Sequence, residues 1–162
     1  MSCDAVAFAA TLWLASTSAA PPAPAATPLL TPPPLLTPPS VSGEPLFVGI
    51  VQRAAKLKAE ARAYESAPLG GGTGQLQDFS SFEAGVAELS SLDMQGHVTL
   101  VQRGYTDDLK CILKGISQDL PVKLKALEAA NDAKSRHDAL EDMFYLLRDN
   151  VEVITAPPQP AA

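Results

Sequence analysis

The stretch SRHDALEDMFYLLRDNVEVI, residues 135–154, carries the clearest helical pattern of the chain. Its apolar residues recur at intervals of three and four, which places them along one face of an α-helix. Ser135 and Asp138 have the spacing of a capping box and predict where this helix begins. The predicted inward residues of this helix are Leu140, Phe144, Leu147, Val151 and Ile154.

Three earlier segments show the same spacing. Pro45 suits the first position of a helix over 45–65, and Ser80 with Glu83 predicts the capped start of a second helix. A third helix is expected over 106–130. The predicted inward residues of these three helices are Phe47, Ile50, Val51, Ala54, Leu57, Ala61 and Tyr64, then Phe82, Val86, Leu89 and Leu92, then Leu109, Ile112, Leu113 and Ile116.

Two residues predict irregularities in these helices. Gly96 is expected to end or kink the second helix, which leaves residues 97–104 as either a helical extension or a short extended piece. Pro121 is expected to stop or kink the third helix, because proline lacks the backbone N–H of a helix interior. Four amphipathic helices with short links predict an all-α, up-and-down bundle.

The bundle is expected to be preceded by two non-globular segments. Residues 5–43 contain no charged residue, and nine of the fifteen prolines lie within 21–39. The apolar run 5–20 resembles a secretory signal peptide, although Asp4 precedes it and no basic residue does. The domain prediction is therefore a signal peptide or short apolar anchor over 1–20, a Pro-rich extended linker over 21–44, the bundle over 45–154 and a disordered tail over 155–162.

The formal charge of −6 is the wrong sign for a generic nucleic-acid-binding protein, which needs a basic face. The first helix is basic, whereas residues 78–162 carry fourteen acidic and eight basic residues. This distribution predicts charge complementarity between helices of one bundle. No nucleotide-binding or hydrolase motif is present, so the sequence predicts a protein that is not an enzyme.

The two histidines are the candidate metal ligands. His137 lies four residues before Glu141, and His97 lies three residues after Met94. Four-helix bundles bind metals and haem through such side chains. Axial His and Met ligands are an arrangement similar to that of exported bacterial b-type cytochromes, but those take methionine from their first helix. Residues 45–65 contain neither Met nor His, so no family is assigned. The alternative interpretation is that His137 begins a helix at the core edge and His97 lies in a loop.

Cys111 is predicted to be a partly buried structural thiol, and a redox or intermolecular role is the alternative. The only other cysteine, Cys3, would leave the chain with a cleaved signal peptide. Met143 and Tyr145 flank the apolar face of the last helix beside Phe144, and the three residues either complete the core or widen an apolar surface for a lipid or a partner helix.

The sequence thus predicts an exported protein, periplasmic or secreted, that binds another protein through a helical face and needs no cofactor. A cytoplasmic location is the alternative if residues 1–20 are not a signal. The functional alternatives are a bundle that binds a transition metal or haem through His137 with His97 and Met94, and a carrier of a small apolar ligand. Membrane proximity through residues 5–20 and oligomer formation are further expectations.

Overall fold

The computed structural model describes residues 40–67, 76, 78–105 and 108–156. Four α-helices make up most of these residues: α1 Pro45–Glu65, α2 Phe79–Gln102, α3 Leu109–Ala129 and α4 Ala133–Thr155. No strand occurs in the described ranges. The predicted all-α bundle of four helices is therefore confirmed. The predicted signal peptide, most of the linker and the last six residues lie outside the described part of the chain.

The helices pack in a ring in the order α1, α2, α3, α4, and each helix runs antiparallel to its two neighbours. α1 contacts α2 and α4, and α3 contacts the same two helices. Arg103, just after α2, binds both carboxylate oxygens of Glu44, just before α1, at 2.7 and 2.8 Å. Lys123 of α3 binds Asp142 of α4 at 2.7 Å. These pairs link neighbouring helices at the surface of the bundle.

The interior of the bundle is filled by large apolar side chains from all four helices. Most of the predicted inward residues are buried, whereas Val51, Tyr64, Leu92, Ile112, Phe144 and Val151 are half-buried at the edge of the core. On α4 the buried face is shifted relative to the prediction: Met143 and Asn150 are fully buried, whereas the predicted inward residues Phe144 and Val151 are half-buried. The side chains buried most completely are Phe47, Ile50, Phe82, Leu89, Leu100, Leu113, Leu120, Leu127, Leu140, Met143, Leu147 and Ile154.

The helix starts differ from the predicted capping boxes. α2 begins after Asp78, which has a φ of 57°, and no side chain caps its first N–H groups. At α4 the capping box is formed by Asp132 and Ser135: Ser135 N–H donates to Asp132 Oδ1 at 2.9 Å, and Ser135 Oγ accepts from Asp132 N–H at 3.3 Å. Asp138 instead binds Lys134 at 2.5 Å. The pattern located the start of α4 within a few residues but assigned the cap to the wrong pair.

Gly96 does not end α2, which continues to Gln102. The glycine is buried where α2 meets α1 and α3. A Cβ atom at this position would lie 3.1 Å from Leu113 Cδ1, 3.3 Å from Ile50 Cδ1 and 3.4 Å from Phe47 Cε1. Gly96 thus allows three helices to approach closely, and this packing offsets its low helix propensity.

Pro121 does not interrupt α3 either. A proline at this position cannot donate to the carbonyl of Ser117, four residues earlier. Ser90 of α2 supplies the missing donor, because its Oγ donates to Ser117 O at 2.7 Å. A side chain of the neighbouring helix therefore replaces the hydrogen bond that the proline removes.

Among the described residues, no helix is long and apolar enough to cross a membrane. Cys111 is half-buried on α3 and is disulfide-bonded, in contrast to the predicted thiol.

Candidate functional site

His137 lies on the surface of α4, in the second helical turn. Its side chain is 56% exposed, and its Nδ1 atom is 3.3 Å from Glu65 Oε1 at the end of α1. Glu141, the ligand predicted to accompany it, is exposed one turn further along α4. His137 therefore faces a carboxylate of the neighbouring helix rather than the bundle interior.

His97 lies within α2 and contacts the beginning of α3. Its Nδ1 atom is 2.6 Å from the backbone oxygen of Lys110. Because a carbonyl oxygen only accepts, Nδ1 carries the proton, and the lone pair of the neutral ring is on Nε2. Metal-binding histidines are commonly oriented by such a bond to a carbonyl. Met94 is half-buried one turn earlier on the same helix.

The four predicted metal ligands do not come together. Tyr64 packs against Phe82, which places the end of α1 and the neighbouring His137 beside the first turn of α2. His97 lies fifteen residues after Phe82 on α2, which separates the two residues by about 22 Å at 1.5 Å per residue. Within the described ranges no three His, Cys, Asp or Glu side chains form a group able to hold a metal ion. A metal or haem site stays a prediction.

The three predicted interaction residues have different environments. Met143 is fully buried and belongs to the core. Phe144 is half-buried and Tyr145 is 44% exposed, and their rings meet edge to face at 5.9 Å. Two guanidinium groups cover these rings: Arg62 lies 4.3 Å from the Phe144 centroid, and Arg148 lies 4.8 Å from the Tyr145 centroid. We name these four residues, from α1 and α4, the arginine–aromatic face.

The arginines of this face are held by acidic neighbours. Arg62 Nη1 binds Glu65 at 2.5 Å, and Arg148 Nη2 binds Asp149 at 2.7 Å. Each guanidinium is thus fixed between a carboxylate and an aromatic ring, which restricts its rotamers before any partner binds. The face is a partly exposed apolar surface bordered by two guanidinium groups that are each paired with a carboxylate.

A second polar arrangement lies inside the bundle and was missed by the sequence interpretation. Asp93 of α2 and Asn150 of α4 are both 0% exposed. Asn150 Nδ2 donates to Asp93 Oδ2 at 2.6 Å, across the diagonal of the bundle. The other oxygen of each group, Asp93 Oδ1 and Asn150 Oδ1, is buried without a hydrogen-bond partner. A buried acceptor without a donor is costly, so this pair requires a physical explanation.

Burial raises the pKa of Asp93 from its ordinary 3.8 to about 7, and the hydrogen bond from Asn150 opposes part of that rise. The spacing of the inward residues contained the signal for both groups. Asp93 lies four residues after Leu89, and Asn150 lies three residues after Leu147, so each continues the buried face of its helix. The predicted inward faces were selected from apolar residues alone, so these two polar residues were not included.

The fold and these side chains define a four-helix bundle with a partly exposed arginine–aromatic face and a buried acid–amide pair. No family model matches the chain, and no curated protein or solved structure is significantly similar to it. The side chains themselves are therefore the basis for a functional hypothesis.

Proposed function

We propose that this protein is a non-enzymatic helical-bundle module that binds another protein through the arginine–aromatic face, defined by Arg62, Phe144, Tyr145 and Arg148. The half-buried ring of Phe144 and the exposed ring of Tyr145, each under an oriented guanidinium group, are the observation that supports it. Tyrosine, phenylalanine and arginine are enriched at protein interfaces, and tyrosine and arginine are among the residues whose truncation weakens binding most.

The chemistry of the face also fits a protein partner. A tyrosine ring loses little conformational entropy on binding, and its hydroxyl keeps a polar contact at the edge of an interface. Because Glu65 and Asp149 already fix the arginines, a partner would not have to order these side chains itself. The expected partner presents an apolar helix or loop with a carboxylate or carbonyl group close to Arg148.

A photo-crosslinking amino acid at position 145 tests this proposal. In native extract we expect it to give one discrete adduct that is lost when Arg148→Ala or Phe144→Ala is combined with it. The same crosslinker at Val122, which is 60% exposed on α3, is the matched control and should give no such adduct. Equal labelling at 122 and 145, or an adduct insensitive to Arg148→Ala, would contradict the proposal.

Export is part of the same proposal. Its support is the apolar segment 5–20 and the disulfide at Cys111, a bond typical of oxidising compartments. Since Cys3 is the only other cysteine, an intramolecular disulfide requires that residue 3 be retained. N-terminal sequencing of native protein, with its mass under non-reducing conditions, separates a cleaved signal from a retained anchor. An intact N-terminus with reduced cysteines would contradict export.

A metal- or haem-binding bundle is the second candidate, and the fixed tautomer of His97 is the observation that favours it. The Nε2 lone pair is available as a ligand, and Met94 lies on the same face of α2. Titration with copper, zinc and haem tests this candidate. Binding should be lost in His97→Gln and retained in His137→Gln, whereas equal affinity of both variants would eliminate this site.

A further inference from the structure

The buried polar atoms between α2 and α4 have an unusual arrangement. Asp93 and Asn150 share one hydrogen bond of 2.6 Å, and each retains one oxygen without a donor. Two unsatisfied acceptors on two groups that already touch cannot satisfy each other, because neither carries a hydrogen. One additional hydrogen between them would satisfy both at once.

A proton on Asp93 supplies that hydrogen. A carboxylic acid has one O–H donor and one C=O acceptor, and a primary amide has complementary groups. The acid Oδ1–H would donate to Asn150 Oδ1, while Asn150 Nδ2–H continues to donate to Asp93 Oδ2. This gives a cyclic pair with two hydrogen bonds and no net charge, whereas the ionised pair has one hydrogen bond and an uncompensated buried charge.

We propose that Asp93 and Asn150 form a specific binding site for one proton, which links the contact between α2 and α4 across the bundle interior to pH. Uptake of the proton changes the pair from a charge of −1 to neutral, and the proton comes from solvent. When the pair is ionised, hydration of the carboxylate favours conformations in which α2 and α4 separate.

The charged and titratable groups of the surrounding helices do not compensate this carboxylate. On α2 the ring of His97 donates to Lys110 O, and on α3 the ammonium of Lys110 donates to Tyr105 O, beyond the end of α2. On α1 Arg53 binds Glu88 at the surface, and on α4 Arg148 binds Asp149 and Glu152. Lys114 of α3 is half-buried and also titratable. In the part of the chain that the structure describes, the remaining buried cation is Arg136, fourteen residues before Asn150 on α4, or about 21 Å away along the helix.

The raised pKa of Asp93, about 7 against an ordinary 3.8, determines the direction of the pH effect. Between these two values the folded protein binds a proton that the unfolded chain releases. The contribution of this pair to the free energy of unfolding is therefore fully present below the ordinary pKa of 3.8. It falls as pH rises through this window and is lost above about pH 7. Because the window is bounded by the two pKa values, the unfolding equilibrium constant should increase about 300-fold between pH 4 and pH 7.

Chemical denaturation of the full chain at several pH values, comparing wild type with Asp93→Asn, tests the proposal. An asparagine at position 93 retains the cyclic hydrogen bonding without a titratable group. The unfolding constant of wild type, divided by that of Asp93→Asn, should therefore rise about 100-fold between pH 5 and pH 8, because only wild type loses stability over this range. Contributions that wild type and the variant share cancel in this ratio. Asp119→Asn, at an exposed position of α3, is the matched control and should follow wild type.

The carboxyl ¹³C resonance of Asp93 in wild-type protein gives a second measurement that does not depend on any variant folding. We expect it to show a protonated acid at pH 5.5 and to titrate near neutrality. Ionisation already complete at pH 5.5 would overturn the proposal. Parallel pH profiles of wild type and Asp93→Asn, within twofold across pH 5 to 8, would do the same.

Discussion

Two regions of the bundle interior are built from different chemistry. Where the end of α1 meets the start of α2, the interior contains the rings of Tyr64, Phe79 and Phe82, with centroids 5.4 to 6.1 Å apart. Eleven residues after Phe82, about 16 Å further along α2, it contains the carboxyl of Asp93 bonded to Asn150. Phe82 and Asp93 are almost equally buried, at 1% and 0% exposure.

The difference shows that equal burial can have opposite consequences. Removing aromatic surface from water stabilises the folded state without binding or releasing a proton, so this stabilisation does not depend on pH unless a neighbouring group titrates. Burying a carboxyl stabilises nothing by itself, and the ionised form lowers stability by about 4 kcal/mol at a pKa difference of about three units. The aromatic region therefore provides stability, and the polar pair makes that stability depend on pH.

The largest expected effect is at the aromatic region. Phe82→Ala removes a buried ring in contact with Tyr64 and Phe79, and we expect the free energy of unfolding to fall by about 3–5 kcal/mol. The titratable partner of Phe82 is Tyr64, and burial raises the pKa of Tyr64 above its ordinary value of 10.0. Tyr64 therefore keeps its proton at both pH 5 and pH 8, so the loss should be the same at the two pH values. Denaturant titration at both pH values measures it.

Phe82→Leu is the control for this prediction, since it retains most of the buried volume and should cost clearly less. A loss for Phe82→Ala that differs by more than about 1 kcal/mol between the two pH values would show that the regions are coupled. In that case the comparison between a pH-independent region and a pH-dependent one would fail.

The sequence was sufficient for the fold, because the four apolar faces follow the helical period and their sum specifies a bundle. It was insufficient at particular positions in the interior. Gly96 and Pro121 were interpreted from local propensity, which cannot include Ile50 and Leu113 packing on a glycine or Ser90 donating to a carbonyl of another helix. Tertiary contacts determined the outcome at both.

The candidate site was less predictable because its geometry depends on pairs distant in sequence. Phe144 and Tyr145 were identified from their position on α4, but the arginine over Phe144 is eighty-two residues away. Asp93 and Asn150 are separated by fifty-seven residues, and nothing local to either predicts the other. The helical phase does identify both as inward residues, so a pattern search that admits polar residues would find them.

An intermediate effect is expected where α2 meets α1 and α3, close to the polar pair. Gly96→Leu introduces a side chain among Leu113, Ile50 and Phe47, and we expect a loss of about 1–3 kcal/mol from overpacking. Gly115→Leu, on α3, is the matched control, because a Cβ there meets no atom within 4 Å. Thermal unfolding compares the two. Equal midpoints would mean that close helix packing at Gly96 does not contribute to stability.

The smallest effect concerns the hydrogen bond that replaces the one lost at Pro121. Ser90→Ala removes the donor to Ser117 O and should lower stability by about 1–2 kcal/mol, the cost of a buried carbonyl without a partner. In a Pro121→Ala background the backbone N–H of residue 121 can donate to the same oxygen, so the cost of Ser90→Ala should shrink towards zero. A double-mutant cycle measured by urea denaturation at pH 5, where Asp93 is protonated, isolates this coupling from the pH effect. Additive losses would show that Ser90 and Pro121 act independently. Coupling of about 1 kcal/mol would show that α2 stabilises the proline in α3 through a single hydroxyl.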